Sequence, residues 1–310
     1  MQMEVLKDEP EVSVIIPTMA TPVRAESLTR AINSIRTSSS QPVKIIIVVN
    51  GNKYDMHLLK WIDAQPDIFL HRQEMPSAPE AIRSGRALVS TEYFSTLDDD
   101  DEYLNGAIDL RLSELRKSPQ TAVVVTNGYR NRKGLDEPCY KSLADIPTRP
   151  LLALMEIPWL NSANAMYRSA AVGIDYFENS HPYAEWTWLA FSLAMHEKQF
   201  AAIDTPTFRI NDTSDSLSKS QAYDQAYESL FERMLAERPP VRVVNKIRQK
   251  MGSMYHQYAD RLLNEGDRVG ALRWHVRSLA QPSGFRYLSF TRRLFFQRHK
   301  HTSRASRNET

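Results

Sequence analysis

Short apolar runs alternate with longer segments of helical period along the first two thirds of the chain. Val12 to Ile16 is a continuous apolar run ended by Pro17, which predicts a strand buried on both faces, as in a parallel sheet. Ala25 to Ser38 follows with Leu28, Ala31, Ile32 and Ile35 at helical spacing. Val43 to Val49 predicts a second buried strand, closed by the turn pair Asn50-Gly51. Tyr54 to Ala64 reads as a weaker helix, Ile68 to His71 as a short strand, Pro79 to Val89 as a helix and Tyr93 to Leu97 as a strand. Strands alternating with helices imply right-handed crossovers and an α/β sheet flanked by helices.

The fourth strand runs straight into Asp98-Asp99-Asp100-Asp101-Glu102. Consecutive carboxylates repel one another inside a fold unless a cation or strong donors hold them. Oxygen-rich clusters suit hard divalent ions, and Mg²⁺ is usually held by one or two carboxylates together with substrate phosphates. A structural role competes with that reading, because aspartates also favour helix N-termini and Leu104 to Lys117 is predicted to be helical. Ligands of open α/β sheets bind at the carboxyl ends of the strands. Pro17, Thr18, Asn50 and Asp98 all stand just past predicted strand ends, so they are expected to line one edge.

Beyond the acidic run, Thr121 to Thr126 predicts another strand and 131–150 a polar loop. Trp159 to Arg168 mixes small polar and aromatic residues, suiting a strand and loop near a polar ligand. Glu185 precedes the helix-like Leu189 to His196; a lone acid there is usually a first-turn charge. Ile203 to Arg209 reads as a final edge strand and 211–220 as a loop of the kind that carries function. The rest is helical: 253–264 and 269–280, joined by Glu265-Gly266-Asp267, resemble a single tetratricopeptide-like hairpin, too few for a solenoid.

Composition adds constraints. The 310 residues carry a net charge of only +2, and nucleic-acid binding is disfavoured because there is neither a global basic excess nor a recognition motif. The single cysteine, Cys139, excludes an internal disulfide and offers no zinc cluster. No apolar run is long enough to span a bilayer, and Met1 to Glu11 is polar rather than signal-like, so the expected location is cytoplasmic. Charge is nevertheless uneven: no acid occurs between Arg268 and Asn308. Within it, Phe285 to Lys300 interleaves Phe290, Leu294, Phe295 and Phe296 with Arg and Lys, a pattern that suits peripheral contact with an anionic membrane.

Three motifs occur in order: Ser13-Val14-Ile15-Ile16-Pro17-Thr18, Val48-Val49-Asn50-Gly51, and Leu97 to Asp101 followed by Asn105-Gly106-Ala107-Ile108. With this spacing, residues 11–220 resemble the family 2 glycosyltransferases of GT-A fold. Arg24, Leu28, Arg30-Ala31-Ile32 and Ser34-Ile35 match that family's first helix. Ala81 and Gly85 match the segment before the acidic strand, with Ile82-Arg83 where the family has Arg-Asn. The resemblance implies a Rossmann-like mixed sheet over 11–235, after a polar segment 1–10, followed by a helical extension over 236–297 and a basic tail over 298–310.

It also implies roles. Pro17, Thr18 and Asn50 would surround the base of a nucleotide-diphosphate sugar, UDP- or dTDP-linked. Asn50 stands where the family usually has Asp, which changes the donor and acceptor pattern offered to the base. Asp98 would lie near the ribose and Asp100 on Mn²⁺ or Mg²⁺, with Asp99 between them; Arg24 and Arg83 complete the expected donor-binding set. Glu185 aligns with the second member of the family's acidic pair, the general base, and Ala184 with the first. A metal-completing His in such enzymes falls here on Asn211, with Asp212 next to it. The implied reaction is inverting transfer to a glycan or lipid-linked acceptor in bacterial capsule, O-antigen or lipopolysaccharide synthesis. A catalytically inactive module of the same fold is one alternative. A sugar-1-phosphate nucleotidyltransferase is another, disfavoured because Thr18 to Glu26 holds no glycine.

Overall fold

The computed structural model describes residues 9–212 and 221–296. They divide into two compact units, with the division between Leu230 and Phe231. The predicted loop over 211–220 falls mostly outside the described residues, and the first eight residues, Gln297 and the basic tail over 298–310 lie wholly outside them.

In the first unit, nine strands of the described residues form one mixed sheet, in the order β3-β2-β1-β4-β8-β6-β9-β5 with β7 paired to β6. The parallel half contains β1 (Val12–Thr18), β2 (Val43–Asn50), β3 (Ile68–Gln73) and β4 (Tyr93–Thr96). Its connections are the helices α1 (Ala25–Thr37), α2 (Met56–Asp63) and α3 (Ala78–Ala87). All seven residues of β1 are buried, as expected for a central parallel strand. Full burial of each Val or Ile side chain contributes about 1.5–3 kcal/mol relative to exposure. Pro17 does not end β1: it lies opposite Val48 and the strand continues to Thr18. Local chemistry starts the helices. Asp55 caps α2, accepting from the His57 and Leu58 amides at 2.7 and 3.0 Å, and the Ser77 hydroxyl caps α3 through the Glu80 amide.

The packing of α3 depends on Gly85. A Cβ at this position would lie 2.4 Å from Ile15 Cγ2 and 3.3 Å from Val48 Cγ2. Gly85→Ala is therefore expected to cost about 1–3 kcal/mol through overpacking, seen as a lower urea midpoint without a change in slope.

The sheet changes direction after β4. Strand β8 (Ala165–Arg168) runs antiparallel to both β4 and β6 (Thr121–Arg132), while β9 (Gln199–Asn211) runs parallel to β6. The ends of β6 and β9 and the start of β8 therefore meet the carboxyl ends of β1, β2 and β4. Strand β9 is not the edge predicted for it, because β5 (Glu102–Tyr103) pairs with Arg209 and Phe208 on its free side. The polar loop predicted over 131–150 contains the hairpin strand β7 (Leu135–Pro138). Around this half lie α4 (Ala107–Lys117), α5 (Pro150–Leu154), α6 (Asp175–Glu178) and α7 (Glu185–Met195).

The unit division falls within α8 (Gln221–Ala236). The second unit holds α9 (Val241–Glu265), α10 (Arg268–Leu279) and α11 (Leu288–Phe296). Gly266, at φ 92°, ends α9 in the left-handed region that glycine adopts without strain, and Asp267 caps α10 through the Gly270 amide at 2.8 Å. Ala259, Leu263, Ala271, Phe290 and Leu294 form a small buried cluster among the three helices. Among the described residues no helix is long and apolar enough to cross a membrane.

Candidate active site

The strand ends converge on the acidic turn. Parallel pairing sets Thr18 opposite Val49, one residue before Asn50, and the Asn50 side chain donates through Nδ2 to the Thr18 carbonyl at 3.1 Å. The Thr18 hydroxyl donates to Asp99 Oδ2 at 2.6 Å and accepts from the Ala20 amide at 2.9 Å. Ala20 holds φ at 47°, a left-handed conformation costly for a residue with a Cβ. The same guanidinium nitrogen of Arg24, Nη1, donates to Asp99 Oδ1 at 3.1 Å and Asp100 Oδ2 at 2.8 Å. The structure thus brings Pro17, Thr18, Arg24, Asn50, Asp98, Asp99 and Asp100 to one sheet edge.

The antiparallel half supplies partners that the linear sequence does not advertise. The segment before β8 returns to the end of β4, where the Ser162 hydroxyl donates to Asp98 Oδ2 at 2.6 Å. Strand β9 ends beside the same turn: the Asn211 amide donates to Asp101 Oδ1 at 3.0 Å, and its side chain donates to the Asp100 carbonyl at 2.8 Å. Arg30 donates to that carbonyl at 3.0 Å. Ser162 lies in the small polar stretch that the sequence flags, but its pairing with Asp98 is set by strand direction. Asp212 stands at the end of β9, its amide donating to the Asn131 carbonyl.

The electrostatics match this crowding. Asp98 keeps part of its surface open yet sits deep beneath the strand ends, and burial pushes its carboxyl up to about 7, opposed by the Ser162 hydroxyl and aided by Asp100 and Asp99. Burial also raises Asp99, with Thr18 and Arg24 pulling it back. Asp101 is raised well above the usual range by burial and by Asp98 and Asp100. A carboxyl raised in the folded state costs stability progressively as pH climbs toward its folded value. For Asp98 this window runs from about 4 to about 7. The turn therefore favours additional positive charge.

A divalent cation fits this donor set. The oxygens are hard ligands, and one guanidinium faces two of four adjacent carboxylates. Among the described residues no three acidic, histidine or cysteine side chains converge as a closed metal cage. The protein could thus contribute one or two carboxylates, the remaining positions falling to ligand phosphates and water, as is usual for Mg²⁺.

Two further expected residues make contacts within their own helices or turns. Arg83 forms a close ion pair with Glu80, one turn earlier on α3. Glu185 begins α7, half-buried, and accepts the Tyr183 amide at Oε1, 3.0 Å. Burial raises its carboxyl and the Tyr183 amide opposes the shift. Tyr183 holds φ at 62°, a strained value for a bulky side chain. A separate open cavity of about 1100 Å³ lies beside α1, β5 and β9, near Arg30, Asn33 and Arg209. None of Thr18, Asn50 or the four aspartates lines it.

A parallel sheet edge carrying buried carboxylates, a guanidinium and a Thr–Asn pair has the form of a nucleotide-handling α/β site. Residues 13–172, just over half of the chain, match the glycosyl transferase family 2 domain, and the chain belongs to that family. It is a glycosyltransferase that moves a sugar from a nucleotide sugar. The structure is similar to that of S. aureus TarS residues 1–349 in complex with UDP-GlcNAc, with a TM-score of 0.58, 10% identity and 91% of each chain covered. TarS 1–349 alone gives 0.55 at 13% identity over 91% of each chain. Against longer S. aureus TarS the values are 0.52 and 11%, covering 91% of this chain and 55% of that one. These likenesses establish a shared GT-A fold. No curated protein matches the sequence.

Proposed function

We propose that the chain is an inverting transferase that takes its sugar from a UDP- or dTDP-sugar and passes it to a hydroxyl of a bacterial surface glycan or its lipid-linked precursor. The reading rests chiefly on the network joining Thr18, Arg24 and Asn50 to the aspartates at the end of β4. The UDP-GlcNAc bound by TarS supports a uridine donor. Residues 11–235 would form the transferase domain and 236–297 its helical extension.

In this reading Pro17, Thr18 and Asn50 surround the base. Asp98, oriented by Ser162, faces the ribose, and Arg24 lies where donor phosphates arrive. Asp100, with Asn211 or Asp212 beside it, would hold Mn²⁺ or Mg²⁺, which supplies Lewis-acid stabilisation of diphosphate charge. Glu185 accepts the acceptor hydroxyl proton as that oxygen attacks the anomeric carbon. The bond from that carbon to the diphosphate oxygen breaks, its electron pair leaving with the nucleoside diphosphate. A single displacement inverts the configuration.

Thermal unfolding with a panel of nucleoside diphosphates, with and without Mn²⁺, tests the donor site. Ligand at a hundred times its Kd adds about 2.7 kcal/mol to native stability, so UDP or dTDP with Mn²⁺ should raise Tm, and Asp100→Ala should abolish the metal-dependent part. No shift with any nucleotide would return the acidic turn to a purely structural role. Donor binding without turnover on any acceptor would instead favour the inactive-module reading.

A further inference from the structure

We infer that the outward face of α10 is a docking surface for an anionic lipid bilayer. Helical spacing divides this helix sharply. Ala271, His275 and Ser278 are buried on one side, and the opposite side exposes Val269, Leu272 and Val276 at 81, 41 and 57%. These three apolar side chains form a continuous stripe at positions i, i+3 and i+7, and the exposed Arg273 and Arg277 run along its flank. Phe285, Leu288 and Phe295 add exposed apolar surface just beyond, and Arg286 and Arg292 are exposed with them.

Isolated exposed apolar residues need no explanation, but a ridge bordered by arginine suits an interfacial helix. The charge distribution selects the occupant. No acid occurs from Arg268 to Asn308, and the nearby Asp260 and Asp267 are engaged by Arg293 and by the Gly270 amide. The face therefore offers apolar insertion and positive charge together, which is the complement of a bilayer carrying anionic headgroups. A second copy of the chain would place the same arginines against each other. The surface lies in the C-terminal unit, and its lipid contact does not depend on the donor chemistry proposed above.

Vesicle flotation of the full chain, without donor, tests the inference. The expected result is recovery with phosphatidylcholine vesicles containing phosphatidylglycerol, little recovery with phosphatidylcholine alone, and release by high salt. Each arginine near such a surface is worth about a fivefold change in partitioning. Arg273→Glu/Arg277→Glu should therefore weaken binding by at least about 25-fold. Leu272→Asp/Val276→Asp should remove it while leaving Tm and its response to nucleotide unchanged, since these side chains are exposed. Equal binding to neutral vesicles, no binding to either, or binding indifferent to both variants would overturn the inference. Self-association of the wild type that both variants abolish, without vesicle binding, would instead make this face an interface between copies.

Discussion

Glu185→Gln is expected to lower kcat by about 10²- to 10⁴-fold, the usual contribution of a general base, while UDP with Mn²⁺ still raises Tm. Glutamine keeps the length of the side chain and an oxygen that can accept the Tyr183 amide, so the turn before α7 should survive. In the proposed mechanism what disappears is the group that takes the acceptor proton, and because that transfer belongs to the transition state, the loss should fall on kcat rather than on donor affinity. The pH profile gives an independent readout. Burial raises the Glu185 carboxyl, and only the ionised form is a base. The wild-type rate should therefore fall as pH drops through that raised value, and the residual rate of the variant should lack this acid limb. Equal rates for the two proteins would remove Glu185 from the chemistry and leave it as the first-turn charge of α7.

The largest effect on stability is expected at Arg111. Its side chain is fully buried, with Nη2 donating to the Ala163 carbonyl at 2.7 Å and the Thr207 hydroxyl at 2.6 Å, and Nε to the Thr126 hydroxyl at 3.2 Å. The guanidinium lies 4.6 Å from the centre of the Tyr103 ring, whose hydroxyl donates to the Thr96 carbonyl. Burial lowers its pKa, and among the described residues Nη1 has no hydrogen-bond partner. Arg111→Ala leaves a cavity and strands the Ala163 carbonyl, for a loss of about 3–5 kcal/mol. Arg111→Met should recover at least about half of that, because it fills the space and lifts the desolvation cost of the cation. Urea midpoints at constant slope would measure both. Equal losses for the two variants would show that hydrogen bonding, rather than volume, dominates at this position.

The parallel half was legible because its signals are local. Apolar runs over β1, β2 and β4, the spacing of Leu28 and Ile32 in α1, and turn residues between them each report on their own segment. The acidic turn was legible for the same reason. Strand β5 has only two residues, so no periodicity could reveal it, and β7 carries two consecutive acids and a proline on an exposed hairpin. The partners Ser162 and Asn211 come to the aspartates through antiparallel and long-range pairings, which composition does not encode. Arg111 sits in a helix where a cation ordinarily faces solvent, and the hydroxyls and ring that receive it lie on β6, β9 and β5. In the second unit α9 begins at Val241, twelve residues before the predicted start at Ser253, because its first turns alternate basic and apolar residues without a wide stripe.

The reversal of strand direction between β4 and β8 has a practical consequence. Strands β1 to β4 are locked together by compact crossovers, so their turns tolerate little change in length. The antiparallel half is stitched by the stretches 139–164 and 169–198, which leave the sheet and return to it. Each excursion also hands a side chain back: the first returns Ser162 to Asp98, and the second holds Glu185 at the start of α7. A chimaera that replaces 139–164 must therefore keep a hydroxyl at position 162 if the end of β4 is to stay as it is.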